Sequence, residues 1–356
     1  MPAASIDTFF ACTLMVLIVL SAMAATSKFL YPQIYAGIGN NLEERYKTLS
    51  EYLLLNEGAP ANWGQNSATS PETFGLGDSS SNIAYELDID KVSRLNSENL
   101  YAVTYAQMFT SLKISDASFR IEIKPVFQVS IDLVATFVRT SDTIYEFEIL
   151  TEKHGSAVNA ALKCYVVAEH YLWASNTSYN SGNALNLDVS IPNSVNGSAL
   201  LIVFAKSVSN TKIVSFNAYS FEHNSPMPGS RGTFLRLSPL NYSLTANYLH
   251  SETTYSNAYA LTFNYYSTMT PVASNNQSAT FTVPHFLDLA PTLLVLTGYN
   301  ATTFFTEWTA YPQVPVQTGA DLTNPAILSD VFTFTYLVTI NSAIYECSVW
   351  MGGPKD

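Results

Sequence analysis

Between Asp7 and Lys28 the chain carries no charged side chain, and Phe9–Ala25 (FFACTLMVLIVLSAMAA) is almost wholly apolar. At about 1.5 Å per residue, a helix of that length just spans a hydrocarbon core of about 30 Å. Apolar positions continue at Leu30, Ile34, Ile38, Leu42, Tyr46, Leu49 and Leu53, a three-to-four spacing that defines one face of a helix. The opposite flank carries Glu43, Glu44, Arg45, Lys47 and Glu51. Pro32 can kink this helix, Gly37 and Gly39 weaken it, and Gly58-Ala59-Pro60 ends it. The pattern predicts a stem over residues 1–57, with a transmembrane stretch at residues 8–27 and an amphipathic continuation. A cleaved secretory signal is the competing reading, since Ala22-Met23-Ala24 has the small-residue spacing of a processing site. Against it, the region ahead of the apolar run holds Asp7 and no Lys or Arg.

Residues 58–116 read as a connector and a second helix. A Gly/Ser/Pro-rich stretch runs through Ser81, and Asp88 or Asp90 is placed to cap a helix reaching about Leu112. Val92, Leu95, Val103, Ala106 and Met108 are among its inward positions. From Ala117 the period switches to two. Strands are predicted at Phe119–Phe127, Gln128–Val138, Thr143–Leu150, Ala160–Ala168, Ala184–Ser190, Ala199–Ala205 and Lys212–Phe221. With the turn residues between them, they predict an antiparallel sandwich over residues 117–222. His223–Gly232 (HNSPMPGSRG) reads as a domain linker. Strands recur at Thr233–Leu237, Ser243–Tyr248, Ala258–Tyr266, Ala279–Val283, Thr292–Thr297, Thr302–Thr309, Val331–Ile340 and Ala343–Trp350, predicting a second sandwich over residues 233–356. The stretch Tyr311–Ser329 holds three of the 16 prolines and reads as an irregular surface loop. The expected fold class is therefore mainly β: a transmembrane and amphipathic helical stem followed by two antiparallel β-sandwich domains.

Composition narrows the partners. The formal net charge of −12 argues against nucleic acid. Only 12 % of the residues are charged, so solubility falls to Ser, Thr, Asn, Gln and Tyr, as in an extracytoplasmic protein. Cys12 reads as a small hydrophobe within the apolar stretch. Cys164 and Cys347 lie in strand-like runs of the two β regions and are the pair that could bridge them outside the cytosol. Asn176, Asn196, Asn241, Asn276 and Asn300 lie in Asn-X-Ser/Thr sequons that permit glycosylation.

Chemistry is sparse. The five histidines, His154, His170, His223, His250 and His285, fall in no ligand spacing, so neither metal nor cofactor is expected. GLGDSSS at Gly75–Ser81 lacks the Lys-Ser/Thr of a phosphate loop. His285 with Asp288 is the nearest approach to an acid/base pair, though solvated residues of a turn explain it too. Tyr265, Tyr266, Trp308 and Tyr311 could stack on sugars or lie half-buried in sheets. No catalytic residue is assigned, and the chain is expected not to be an enzyme.

An apolar helix that continues as an amphipathic one and carries a β-rich head resembles the type IV pilin architecture. The segments Glu51–Leu76 (EYLLLNEGAPANWGQNSATSPETFGL) and Leu87–Leu95 (LDIDKVSRL) also resemble archaeal pilin-like secreted proteins; the resemblance covers about the first hundred residues. It implies an acidic residue at the fifth mature position that pairs with a neighbour's N-terminal amine. Asp7 takes that place if cleavage falls between Pro2 and Ala3; otherwise it is a solvated residue at a helix start. The basic-residue-plus-Gly site of a prepilin peptidase does not precede Ala3. Tyr145–Val167 resembles the strand–Gly–strand segment of surface immunoglobulin-like domains.

The expected role is structural or adhesive: a pilin-like or cell-envelope protein, membrane-anchored through residues 8–27, that displays β domains and self-associates or contacts other envelope subunits. The alternative is a secreted carbohydrate-binding or hydrolytic protein released by cleavage near Ala24.

Overall fold

The computed structural model describes residues 41–114, 116–180, 183–224, 231–322 and 328–354, together with Met15, Val19 and Ser21. The chain divides into two units, Met1–Ser50 and Glu51–Asp356. In the first, residues 41–50 are helical, as the amphipathic pattern predicts. The remainder of the expected transmembrane stretch, and Asp7 with it, lies outside the described residues. Among the described residues no helix is long and apolar enough to cross a membrane.

The second unit opens with helical residues 51–55, where Leu53 and Leu54 are fully buried. The single helix expected from Asp88 to Leu112 is instead two, Ile89–Ser93 and Tyr105–Leu112. Asp88 caps the first, and Thr104 with Gln107 forms a capping box on the second. The chain leaves the first helix because Asn side chains capture nearby amides: Asn96 Oδ1 accepts from Glu98 N and Asn99 Oδ1 accepts from Tyr101 N. Val92, Leu95, Val103 and Met108 are buried as expected, whereas Ala106 is exposed.

The β residues form several antiparallel sheets, four of them layered. Sheet I contains Gln128–Val138, Asp142–Lys153 and Leu185–Pro192. Sheet II contains Val214–Phe221, Ala199–Ser207, Ala160–Ala168 and Tyr171–Ala174. Phe147, Ile149 and Ile191 of sheet I pack on Cys164, Val166, Leu201 and Val203 of sheet II. Sheet III contains Tyr266–Thr268, Thr253–Leu261, Thr292–Asn300 and Thr303–Tyr311. Sheet IV contains Leu235–Leu240, Ser243–Tyr248, Ser278–Thr282 and Thr270–Ser274. Leu294, Leu296, Ala258 and Ala260 of sheet III pack on Leu244, Ala246 and Phe281 of sheet IV.

A third apolar layer joins these sandwiches. Tyr165, Val167, Leu200, Ile202 and Phe204 on the other face of sheet II meet Tyr259, Leu261, Leu293 and Val295 on the other face of sheet III. Because side chains alternate along a strand, Ala199–Ser207 sends Leu201 and Val203 to one core and Leu200, Ile202 and Phe204 to the next. Such strands are covered on both faces, so their sequence is a continuous apolar run. The layers stack in the order I, II, III, IV.

Two expectations are corrected here. Strand Ser118–Pro125, assigned by its position to the first sandwich, instead pairs with Val316–Gly319 and Ala343–Pro354, which in turn pairs with Leu328–Ile340. The sandwich boundaries at residues 117–222 and 233–356 therefore do not describe this sheet. Alternation at Phe119, Ile121 and Ile123 shows that a strand buries one face, but not which strand it pairs with. The stretch Tyr311–Ser329 is likewise not all irregular, since Val316–Gly319 is a strand and Gln313 and Val314 are buried.

Candidate functional site

The densest polar constellation lies where the connector meets the second sandwich. Asp88 Oδ1 accepts from the amides of Asp90 and Lys91 at 2.9 Å each, which caps the short helix. That cap turns Lys91 and Arg94 inward, and both are almost fully buried. Lys91 Nζ donates to the carbonyls of Glu57 and Gly77 at 2.8 Å each. Arg94 Nε donates to Tyr101 O at 2.8 Å, and Nη1 donates to Asn66 O at 3.0 Å, Thr69 O at 2.8 Å and Trp63 O. Its guanidinium also lies 5.5 Å from the Trp63 ring centroid. Asp90 Oδ1 accepts from Tyr311 Oη and Asn241 N at 2.7 Å each, and Asn99 Nδ2 donates to Gln313 Oε1 at 2.9 Å. These groups are held by backbone carbonyls and one another, so the constellation fastens the connector to the sandwich.

Burial pushes the Asp90 carboxyl up from 3.8 to about 6, partly countered by hydrogen bonds from Asn241 and Tyr311. A raised folded-state pKa means the folded protein holds this proton more tightly than the unfolded chain. Its penalty on stability is absent below pH 3.8, grows as pH rises and is complete above about 6. Asp90→Asn should therefore stabilise the protein at pH 7, by a few kcal/mol at most, and lose its advantage near pH 4. Thermal melts across that range test this; a difference that did not change with pH would exclude Asp90 as the titrating group.

His285 and Asp288 are not brought together as an acid/base pair. The His285 ring stacks on Tyr242 with centroids 3.6 Å apart. The Asp288 carboxylate accepts from Asn264 N at 2.8 Å, Asn264 Nδ2 at 3.0 Å and Leu289 N at 3.0 Å, and Lys206 Nζ lies 3.7 Å away. His223 is buried, its Nδ1 2.9 Å from Tyr145 Oη and its Nε2 3.1 Å from Pro192 O; burial pushes its pKa down. His170 Nδ1 meets Asn257 Nδ2 at 2.9 Å, His250 packs edge-on to Phe234, and His154 sits in a turn with φ 51°. Among the described residues no three His, Cys, Asp or Glu side chains are grouped to hold a metal.

Of the four aromatic residues, Tyr265 and Tyr266 are exposed, Trp308 lies 4.4 Å beneath the Arg231 guanidinium, and Tyr311 is buried. Sequence reasoning missed Phe286, whose ring runs parallel to Tyr265 with centroids 6.2 Å apart, and Leu287 beside it. The sequon residues Asn176, Asn196, Asn241 and Asn276 are exposed, and Asn300 is half-buried with its Oδ1 accepting from Thr253 Oγ1 at 2.9 Å. Gly197, inside the second sequon, has φ +101° and seats against Phe304, where an added Cβ would come within 2.0 Å of the ring.

Cys164 and Cys347 are free rather than bridged. Cys164 pairs across sheet II with Val203, while Cys347 pairs with Ile123 and Tyr336 in another sheet, so their strands are not neighbours. Burial pushes both thiols up to about 12. Neither should react with an aromatic disulfide reagent at pH 8 until denaturant is added; a missing thiol after unfolding under non-reducing conditions would restore the bridge.

No family model matches the chain, and no curated protein matches it. Among solved structures it is similar to a "Biofilm associated protein - BSP domain", with 20 % identity, a TM-score of 0.17, and coverage of 55 % of this chain and 30 % of that one. It is also similar to the tandem C2 domains of Extended-Synaptotagmin 2, with 8 % identity, a TM-score of 0.13, and coverage of 68 % of this chain and 92 % of that one. The chain thus spans 30 % of the length of the first of these. At such TM-scores neither likeness bears on fold or function.

Proposed function

We propose that this chain is a non-enzymatic, pilin-like structural or adhesive protein of the cell surface, displaying its β body on a membrane-embedded N-terminal segment. The observation that supports this reading is the layered body itself. Sheets II and III share an apolar layer, so the sandwiches are packed together rather than strung as beads. Lys91 and Arg94 tie the connector together through its own carbonyls, from Glu57 to Tyr101, while Asp90 and Asn99 fasten it to that body through Tyr311, Asn241 and Gln313. A protein that bears load or presents a surface needs such continuity between its attachment and its head. The stem residues carry the other half of the reading: with cleavage between Pro2 and Ala3, Asp7 would be the fifth mature residue, the one that pairs with a neighbouring subunit's amine in type IV pilins. On this reading the protein hydrolyses neither glycan nor peptide.

Cell fractionation tests the anchor. Replacing Val16 and Leu17 together with Asp should cost several kcal/mol of insertion free energy and move the protein out of the membrane fraction. Unchanged membrane association of that variant would refute the anchor, and an N-terminus at Ala25 in the native protein would remove the stem altogether.

A further inference from the structure

We propose that the paired turns Asn264–Tyr266 and Phe286–Asp288 form an apolar tip that inserts into the interfacial region of a zwitterionic lipid bilayer. Leu287 is 98 % exposed, Tyr266 57 % and Tyr265 48 %. Phe286 is half-buried against the core between sheets III and IV, and its ring lies parallel to Tyr265. A single exposed leucine is ordinary, but one next to the Phe286–Tyr265 ring pair, with Tyr266 also exposed, adds to a patch that water solvates poorly.

The tip is held in shape from beneath. Asp288 gathers Asn264 N, Asn264 Nδ2 and Leu289 N onto one carboxylate and so ties the two turns together. Lys206 Nζ, 3.7 Å from that carboxylate and 4.2 Å from the Phe263 ring centroid, balances its charge, and the Asp288 side chain is only 4 % exposed. Little ordering cost is left for binding, and no unpaired charge is carried into the low-dielectric region.

The chemistry of the rim selects the partner. Asn264, Tyr265, Tyr266 and Leu287 bring no cation, and the chain carries a net charge of −12, so an anionic surface would be repelled. Tyrosines that keep the hydroxyl wet while burying the ring suit the headgroup level, with Leu287 reaching the acyl boundary. A sugar fits less well: the Asp288 oxygens are already committed, and the most exposed side chain of the tip has no stacking face.

The tip is built from residues 264–266 and 286–288 and the Lys206 beneath them, and its insertion does not depend on whether the N-terminal segment is embedded in a membrane. The test uses the full chain kept in solution by an amphipathic polymer, with Cys12→Ala and with Leu287→Cys carrying an environment-sensitive fluorophore. Cys164 and Cys347 are buried and stay unlabelled. Phosphatidylcholine vesicles with brominated acyl chains should shift the emission to the blue and quench it, and added salt should not reverse the effect. In the labelled chain, Tyr265→Asp should reduce the blue shift and the quenching, with an unchanged circular dichroism spectrum because Tyr265 is 48 % exposed; both signals are read at the tip, so attachment through the N-terminal segment does not mask them. Emission that stays at its aqueous value, or an equal blue shift and quenching with Tyr265→Asp, would overturn the proposal. A response to a soluble polysaccharide without one to vesicles would overturn it in favour of a sugar site.

Discussion

Arg94→Ala should lower the free energy of unfolding by about 3–5 kcal/mol. Arg94 is 3 % exposed, and its guanidinium donates to carbonyls of Tyr101, Trp63, Asn66 and Thr69. Alanine leaves the buried carbonyl of Trp63 and the half-buried carbonyls of Thr69 and Tyr101 without that donor, while Asn66 O still accepts from Thr69 N; each unmet buried acceptor costs on the order of 1–3 kcal/mol. It also removes the cation facing Asp90, whose burial already disfavours its charge. Arg94→Lys should recover only part of the loss, because a point ammonium cannot fan over carbonyls on several sides of a planar fork. Urea unfolding curves of the three proteins measure this directly. A loss in Arg94→Ala of under about 1 kcal/mol, the size expected of an exposed ion pair, would show that the connector does not depend on this residue for its fold.

The same junction shows what the sequence made legible and what it hid. In a chain that is 12 % charged, Leu87–Leu95 holds Asp88, Asp90, Lys91 and Arg94 together. Asp88 is readable as a cap, since an acidic residue before an apolar run is the local signal for one. The inward course of Lys91 and Arg94 is not readable, because their partners are backbone carbonyls far along the chain, which no side-chain pattern marks. The strands were mostly legible from their period of two. The runs ALLIVFA at Ala199–Ala205 and TLLVLT at Thr292–Thr297 do not alternate, and that departure is the signal of strands covered on both faces. The membership of Ser118–Pro125 was not legible, since strand pairing over long separations rests on packing rather than on local pattern. At the exposed tip, Tyr265 and Tyr266 stood out as candidate contact residues. Leu287 is one apolar residue in PHFLDLAP that no period marks as exposed, and the bonds from Asn264 to Asp288 that hold its turn join residues far apart in sequence.

Cleavage within His223–Gly232 should leave two fragments that remain together until denaturant is added. Residues 225–230 of that linker lie outside the described residues, but the strands on either side are bound in two ways. Ile202 and Val167 on one side of the cut and Leu293 and Val295 on the other share a layer from which water is excluded. Ser118–Pro125, ahead of the cut, lies between Val316–Gly319 and Ala343–Pro354, both beyond it. Separating the fragments would expose that layer and strip a central strand from its sheet. Size exclusion of the nicked protein should therefore show one species of native size, and a denaturing gel should show two. Ile202→Ala and Leu293→Ala should each cost about 2–5 kcal/mol and lower one shared unfolding transition rather than one of two. Ile202→Asp places a charge between two sheets and should unfold both sandwiches together. If nicked fragments parted in buffer alone, or Ile202→Ala shifted the melting of one sandwich and not the other, the shared layer would be a contact between independent domains.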